Sequence, residues 1–380
     1  MFLSLSKFRR KLKTLNRVEI LAENILHNFE TYKKLLPEKH LFPCLKSNAY
    51  GHGITEIVTI LKNLDFPYFV VDSYYEALEI QKLTKKKTLI IGYNHPENYQ
   101  YFDFKKIAIS VYDLASLKAL ASLKKRIKIH LMVNTGMNRE GILLAQIQPL
   151  LEVIAHHDFL ELEGVFSHFA DADDPENSYT DFQMQKFHEC LNLLEAKGFC
   201  PKYVHFGNSA GVLKIYDERI NSYRLGIGLY GYCPLFSDDA LYAKLQNLKP
   251  ALRVVSTVVH TQFLSKGEKV GYNCTFEAQN DMTLGVIPAG YYECIPRSLS
   301  NTGFLKIREH FVPIIGRVCM NLTCFDEQNT NAKVGDEIVV ISEKKEDANS
   351  IEHIAKACGT IPYEILVKIS ESIRRKVVSD

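Results

Sequence analysis

Residues 107–134 read IAISVYDLASLKALASLKKRIKIHLMVN. The run Ile107–Val111 is apolar and β-favouring. Asp113–Leu123 then carries its apolar side chains at helical spacing, and Ile127–Asn134 returns to a β-rich run. A strand, a helix and a second strand in that order form a βαβ unit, which implies parallel pairing. The rhythm extends both ways. Upstream, Leu41–Lys46, Tyr68–Val71 and Thr88–Ile91 read as strands, with helical segments at Ile54–Leu64 and Tyr74–Leu83. Downstream, Leu162–Ser167, Tyr203–Gly207 and Tyr223–Gly228 read as strands, with helical segments at Ile147–Ala155 and Asp181–Ala196. Eight βα units over roughly 220 residues suit a closed (β/α)8 barrel of the TIM type, here 18–239, with an open doubly wound sheet as the alternative.

Beyond about residue 240 the pattern changes. Ala251–Phe263, Thr283–Pro288, Leu305–Ile307, Val312–Ile315, Val318–Phe325 and Glu337–Ile341 are strand-like with short connections. Residues 240–380 are therefore expected to form a mostly antiparallel β domain with a helical tail over Glu352–Cys358 and Tyr363–Arg374. The fold class is α/β, a barrel followed by that domain. Two polar loops, Asp171–Ser178 and Glu343–Ser350, read as solvated surface.

At ~150 residues per domain, 380 residues accommodate roughly two domains. A net charge of +2 argues against a nucleic-acid partner, which calls for a strong basic excess. No stretch approaches the ~20 apolar residues of a membrane span. Residues 1–17 form a basic leader without the apolar segment of a secretory signal. Nine cysteines without regular spacing fit a reducing compartment, hence the cytoplasm.

In a barrel, chemistry gathers at the C-terminal strand ends. Lys46 ends strand one, His168 follows strand six, Asn208 and Ser209 follow strand seven, and strand eight contains Arg224; Arg139 follows strand five in the turn Asn134–Arg139. A lysine against apolar walls loses part of its charge and can form a Schiff base with a carbonyl; a structural ion pair is the plainer reading. Ser209, Gly226 and Ile227 sit where barrels hold a phosphate, or else Ser209 is an ordinary helix cap. Gly226–Gly231 matches G-x-G-x-x-G, yet it lies at the eighth strand and opens no clear helix, so it does not read as a dinucleotide site. No metal site is expected: Cys319 and Cys324 are too far apart for a zinc knuckle.

Lys46–Gly53 (KSNAYGHG) resembles the cofactor-attachment site of the bacterial alanine racemases. The resemblance continues, in order, through Asn134–Arg139, Phe166–Ala170, His205–Ala210, Tyr223–Ile227, Val270–Tyr272, Pro288–Tyr291, Gly316–Met320 and Tyr363–Ile365. It implies pyridoxal 5'-phosphate on Lys46, which would also serve as one of two bases. Tyr272 would be the other, reaching in from the partner of a head-to-tail homodimer. Arg224 would face the pyridine nitrogen, with His168 linking it to Tyr272. Tyr50, Asn208, Ser209, Gly226, Ile227 and Tyr363 would line the phosphate side. Arg139 and Met320 would receive the substrate carboxylate, and Tyr291 would line the substrate pocket with Arg297, Arg317 and Asp173 along the approach to it. The implied function is interconversion of L- and D-alanine, supplying peptidoglycan synthesis.

Four positions depart from the family pattern. Met132 stands where many members have a carboxylatable lysine that braces the arginine, so something else must orient Arg139. Asn134, Asn138 and Asn321 replace the usual aspartate, glycine and aspartate. A racemase of serine or lysine would carry the same frame. A barrel decarboxylase of basic amino acids would want an acid in place of Arg224, and non-catalytic cofactor carriers typically lack the β domain.

Overall fold

The computed structural model describes residues 13–174, 178–215, 217–236 and 238–379; most of the basic leader and residues 175–177 of the first polar loop lie outside them. The chain divides into two compact units. One comprises Asn24–Tyr50 and Ile57–Lys249; the other runs up to Glu23 and includes Gly51–Glu56 and everything from Pro250 on.

The first strand, β1 (Arg17–Leu21), belongs to the second unit, and α1 (Ala22–Leu35) leads from it into the first. Eight strands follow: β2 (His40–Pro43), β3 (Tyr68–Val71), β4 (Lys87–Ile90), β5 (Ile107–Val111), β6 (Ile127–Met132), β7 (Leu160–Phe166), β8 (Tyr203–His205) and β9 (Ser222–Leu225). Each expected barrel strand is present. The parallel sheet runs β2-β9-β8-β7-β6-β5-β4-β3, and a parallel bridge from Cys44 to Val70 brings its two edge strands together. The nearly closed barrel favours the expected architecture over the open sheet. Its strands are buried on both faces, which is why they read as unbroken apolar runs rather than alternating ones.

The crossover helices are α2 (Ile54–Leu61), α3 (Tyr74–Gln81), α4 (Leu114–Ser122), α5 (Ile147–Ala155) and α6 (Ser178–Ala196). Ser73 caps α3 by accepting from the Glu76 amide, and Asp113 caps α4 by accepting from the Ser116 amide at 2.6 Å.

The second unit holds a nine-stranded, mostly antiparallel sheet of β1, β10 (Leu252–Thr257), β11 (His260–Leu264), β14 (Met282–Ile287), β15 (Phe304–Ile307), β16 (His310–Ile315), β17 (Thr323–Asp326), β18 (Glu337–Ile341) and β19 (Arg374–Val378); β12 (Lys269–Val270) and β13 (Phe276–Glu277) form a separate hairpin. Four expectations are corrected. The run Ala251–Phe263 is two strands, because β10 pairs with β1 and β18 whereas β11 pairs with β14. Of Val318–Phe325 only the end is strand, since the Cys319 amide bonds the Leu322 carbonyl at 2.9 Å and closes a turn. The tail holds α7 (Ile351–Ala357) and α8 (Pro362–Val367), but Arg374 opens β19, parallel to β1. Arg375 anchors that reversal by donating to the carbonyls of Gly51, Ile369, Ser370 and Ile373. Lastly, the loop Glu343–Ser350 is not all solvated: Asp347, Asn349 and Ser350 are buried, and Asp347 pairs with Lys306 at 2.9 Å.

Candidate active site

Immediately after β2 the chain does something its sequence does not announce. Ser47, Asn48, Ala49 and Tyr50 all have φ between 52° and 56°, a left-handed turn without a glycine. Each such residue costs about 1–2 kcal/mol, so the surroundings must over-determine the shape. They do. The Leu45 amide bonds Val70 across the barrel seam at 2.7 Å, the Ala49 amide bonds Leu45 O at 2.8 Å, and the Asn48 amide reaches Glu76 Oε1 at 3.3 Å. The Tyr50 ring packs 5.0 Å from that of Tyr230, whose hydroxyl donates to Cys44 O at 2.7 Å. Lys46 heads this turn, half-buried at the C-terminal end of the barrel.

Arg224, on β9, is wholly buried. Its guanidinium donates to Ser167 O at 2.7 Å, His205 O at 3.2 Å and Phe206 O at 3.3 Å, and to two ring nitrogens, His205 Nδ1 at 2.9 Å and His168 Nδ1 at 3.1 Å. Burial pulls the guanidinium down to about 10, which still leaves it charged at neutral pH. His168 falls to about 3, through burial first and then the charges of Arg224, Arg139 and Lys46. The imidazole is therefore a neutral acceptor for Arg224.

After β8, the strand next to β9, Asn208 braces the turn leading into Gly211–Leu213, its Oδ1 accepting from the Ala210 and Gly211 amides at 3.1 and 2.8 Å. Ser209 is therefore no ordinary helix cap: Ala210 holds the N-cap position, and the side-chain bonds to this turn come from Asn208. Ser209 Oγ accepts from the Gly226 amide at 2.9 Å and the Gly228 amide at 3.2 Å, with Ile227 buried between them. A hydroxyl whose lone pairs are so occupied is left to donate. Gly226 keeps the space beside it open: a Cβ there would lie 2.7 Å from Tyr50 Oη and 3.7 Å from Ser209 Oγ. Two hydroxyls around a bare backbone make a cradle for an anion such as a phosphate, and Lys46 and Arg224 supply an amine and a ring-nitrogen donor. These residues fit pyridoxal phosphate. The G-x-G-x-x-G run itself is a short 3-10 turn, Ile227–Tyr230, ended by left-handed Gly231.

Arg139 lies in the turn after β6, mostly exposed, and its guanidinium donates to Glu140 Oε1 at 2.9 Å. Asn134 braces the backbone instead, its Oδ1 accepting from the Gly136 and Asn138 amides at 3.0 and 3.1 Å. Met132, which ends β6, is buried. A thioether cannot take up carbon dioxide, so depleting bicarbonate from the buffer is expected to leave turnover unchanged. A rate restored by added bicarbonate would expose a carbamate elsewhere.

The remaining expected residues belong to the second unit. Tyr272 opens a one-turn segment after β12 and is 70 % exposed. Nearby loops put Met320 and Tyr291 together: the Tyr291 amide bonds Cys319 O and the Tyr292 amide bonds Met320 O, both at 3.0 Å, and Met320 is 56 % exposed. Asn321, one of the departures, donates to Glu293 Oε1 at 2.8 Å, while Glu293 Oε2 accepts from the Gly290 amide. Tyr363 is the second residue of α8 and is 38 % exposed.

Sequence reasoning missed the groups behind this set. Gln183, on α6, is fully buried and accepts from the Ala170 amide while donating to His168 O at 3.0 Å and Thr135 Oγ1 at 3.3 Å. Tyr179 donates to Gly136 O at 2.7 Å, so one helix ties down both the His168 and Arg139 turns. His205, His130 and Glu163 were missed as well. Polar residues on an apolar strand such as IKIHLM were the available signal.

Family comparisons agree with this geometry. The description of the alanine racemase N-terminal domain matches residues 20–234, and that of the C-terminal domain matches residues 251–377. The alanine racemase of Borreliella burgdorferi (strain ZS7) is 32 % identical over 360 residues, 93 % of this chain and 94 % of that protein. Alanine racemase 1 of Caldanaerobacter subterraneus is 33 % identical over 369 residues, 94 % of each chain. The crystal structure of the Bacillus anthracis alanine racemase with bound L-Ala-P superposes with a TM-score of 0.88 at 28 % identity, covering 97 % of this chain and 96 % of that one. With both domain patterns met in order along a barrel and a β domain, the chain belongs to the alanine racemase family.

Proposed function

We propose that this chain interconverts L- and D-alanine on pyridoxal phosphate carried by Lys46, works in the cytoplasm as a homodimer, and supplies D-alanine for peptidoglycan. One observation carries the reading: a buried guanidinium, whose hydrogen-bond partners among the described residues are all neutral, shares the strand ends of a single barrel with Lys46 and the Ser209–Gly226 cradle. Bound pyridoxal phosphate supplies an electron sink that makes the substrate Cα proton acidic. A guanidinium that stays charged at neutral pH has no acceptor, so Arg224 can donate to the ring nitrogen but not take a proton from it. Lys46 Nζ takes or returns the Cα proton on one face. Tyr272 Oη of the opposite protomer does so on the other, because inversion requires a base on each side. Neutral His168 holds Arg224 in register, and Arg139 binds the carboxylate. Tyr291, Tyr363 and Met320 keep the pocket small enough to favour a methyl side chain. The exposure of Tyr272, Met320 and Tyr291 in one chain supports completion of the site by a second copy.

The test is Tyr272→Phe in the holoenzyme, followed by exchange of the Cα hydrogen of each alanine enantiomer in deuterated water. Exchange should drop about 10²–10⁴-fold from one enantiomer and far less from the other. Equal loss for both removes the two-base reading. A chiral product assay across a panel of L-amino acids tests the substrate, and alanine should lead it.

A further inference from the structure

A line of hydrogen bonds leaves the back of Arg224 and crosses the barrel interior. Arg224 donates to His205 Nδ1 at 2.9 Å, so His205 must carry its proton on Nε2, which lies 2.8 Å from His130 Nδ1. His130 in turn must carry its proton on Nε2, which lies 3.4 Å from Glu163 Oε2. One pattern of tautomers satisfies every link. Both rings are 0 % exposed, and burial holds both neutral. The line ends on a carboxylate that also accepts from Tyr68 Oη and Lys128 Nζ. Burial pushes Glu163 up, but the hydrogen bonds from His130, Lys128 and Tyr68 outweigh it and hold the group at about 2. Lys128, partly exposed, also pairs with Glu161 at 3.3 Å, where the line meets solvent at the opposite end of the strands.

The backbone is shaped around this line. Strands β6 and β7 slip register between Ile129 and His130, which sets His130 opposite Gly164. A Cβ on Gly164 would collide with His130 Nδ1, the atom that receives the His205 proton. Nor is another counter-charge at hand: among the described residues, the bonds of Arg224 go to carbonyls and imidazoles, and the path from it meets its first carboxylate at Glu163.

We propose that Glu163 is the counter-charge of Arg224 and a positioning residue for the cofactor's ring nitrogen, acting through His130 and His205. Aligned neutral donors polarise one another in a low-dielectric interior. The carboxylate thereby makes His205 Nδ1 a stronger acceptor, which keeps the guanidinium charged, fixed in its plane and less ready to yield its proton to the ring. This rests on the reading above, in which Arg224 faces that ring.

The test uses holoenzyme loaded with pyridoxal phosphate carrying nitrogen-15 in its ring, and histidine labelled likewise. In the unaltered protein, His130 and His205 should give neutral Nε2–H signals from pH 6 to 9, and the ring nitrogen should resonate as unprotonated. In Glu163→Gln the ring signal should move toward the protonated position and the cofactor dissociation constant should rise about tenfold. Glu163→Asp should return the signal most of the way. Tyr68→Phe removes one donor from the same carboxylate without altering its charge, so it should lower Tm and leave the ring signal in place. A Glu163→Gln spectrum that superposes on the unaltered one, or an Nδ1–H or doubly protonated His130 or His205, overturns the proposal; the histidine arm stands even if the glutamine variant fails to fold. Absence of any bound ring signal in the unaltered protein would instead strike the function proposed above.

Discussion

Lys46→Ala is expected to remove the covalently held cofactor and to lower turnover by about 10⁴-fold or more, while leaving the protein folded. Alanine suits the backbone here because the left-handed residues begin at Ser47, one position later. What holds the turn are amides, Leu45 to Val70 and Ala49 to Leu45, together with the Tyr50–Tyr230 ring pair, and none of these needs the lysine side chain. A half-buried side chain replaced outside the core should shift stability by about 0.5 kcal/mol or less. Arg224, Ser209 and Tyr50 would still bind the phosphorylated aldehyde reversibly, so the variant should colour on mixing and bleach on dialysis. Borohydride reduction followed by peptide mass spectrometry is the decisive measurement. It should find the adduct at Lys46 in the unaltered protein and nowhere in the variant. An adduct on another lysine would move the attachment site and the reaction with it.

The barrel was legible because its strands are buried on both faces, so that Tyr68–Val71 and Ile107–Val111 stand out as continuous apolar runs. The edge of the other sheet was not. Arg17–Leu21 and Arg374–Val378 carry charges in short segments, Glu19 among them although it is buried, and their parallel pairing joins segments more than 350 residues apart, which no local pattern can reveal. The residues expected to touch cofactor and substrate came from order and resemblance, and those in the barrel do gather at its strand ends. The groups behind them were hidden for two reasons. The left-handed turn uses Ser47, Asn48, Ala49 and Tyr50, none of which signals positive φ as glycine would. The inward aim of His130 toward His205 depends on a register slip beside Gly164, a feature of the folded sheet rather than of strand periodicity.

Acid should unfold this protein earlier than its carboxylates alone would. His130 and His205 are wholly buried and held below their ordinary value of 6.5, burial being the first cause in each; the charge on Arg224 adds to it for His205, and Glu163 pulls the other way for His130 without winning. The unfolded chain protonates the same two rings near pH 6.5. Above that pH neither state binds the protons, and the pair adds no pH dependence. Below it the unfolded state binds up to two more protons than the folded one, so stability falls with falling pH at about 3 kcal/mol per unit until the folded rings themselves titrate. His168, pushed down to about 3 by burial and neighbouring cations, acts in the same sense. Glu163 joins only below its ordinary 4.5, as it loses the stabilisation that holds it at about 2. Against a total of about 5–15 kcal/mol, such a slope exhausts the fold within a few pH units. Urea midpoints measured at pH 8, 7, 6, 5 and 4.5 should be flat between 8 and 7 and then drop steeply, before ordinary carboxylates begin to protonate. His130→Gln, which keeps an acceptor and a donor on the line but cannot charge, should flatten the drop by about 1.4 kcal/mol per unit. A midpoint that stays level to pH 5 would mean that the two rings already carry protons in the folded barrel. Burial would then not be holding His130 and His205 neutral below their ordinary value.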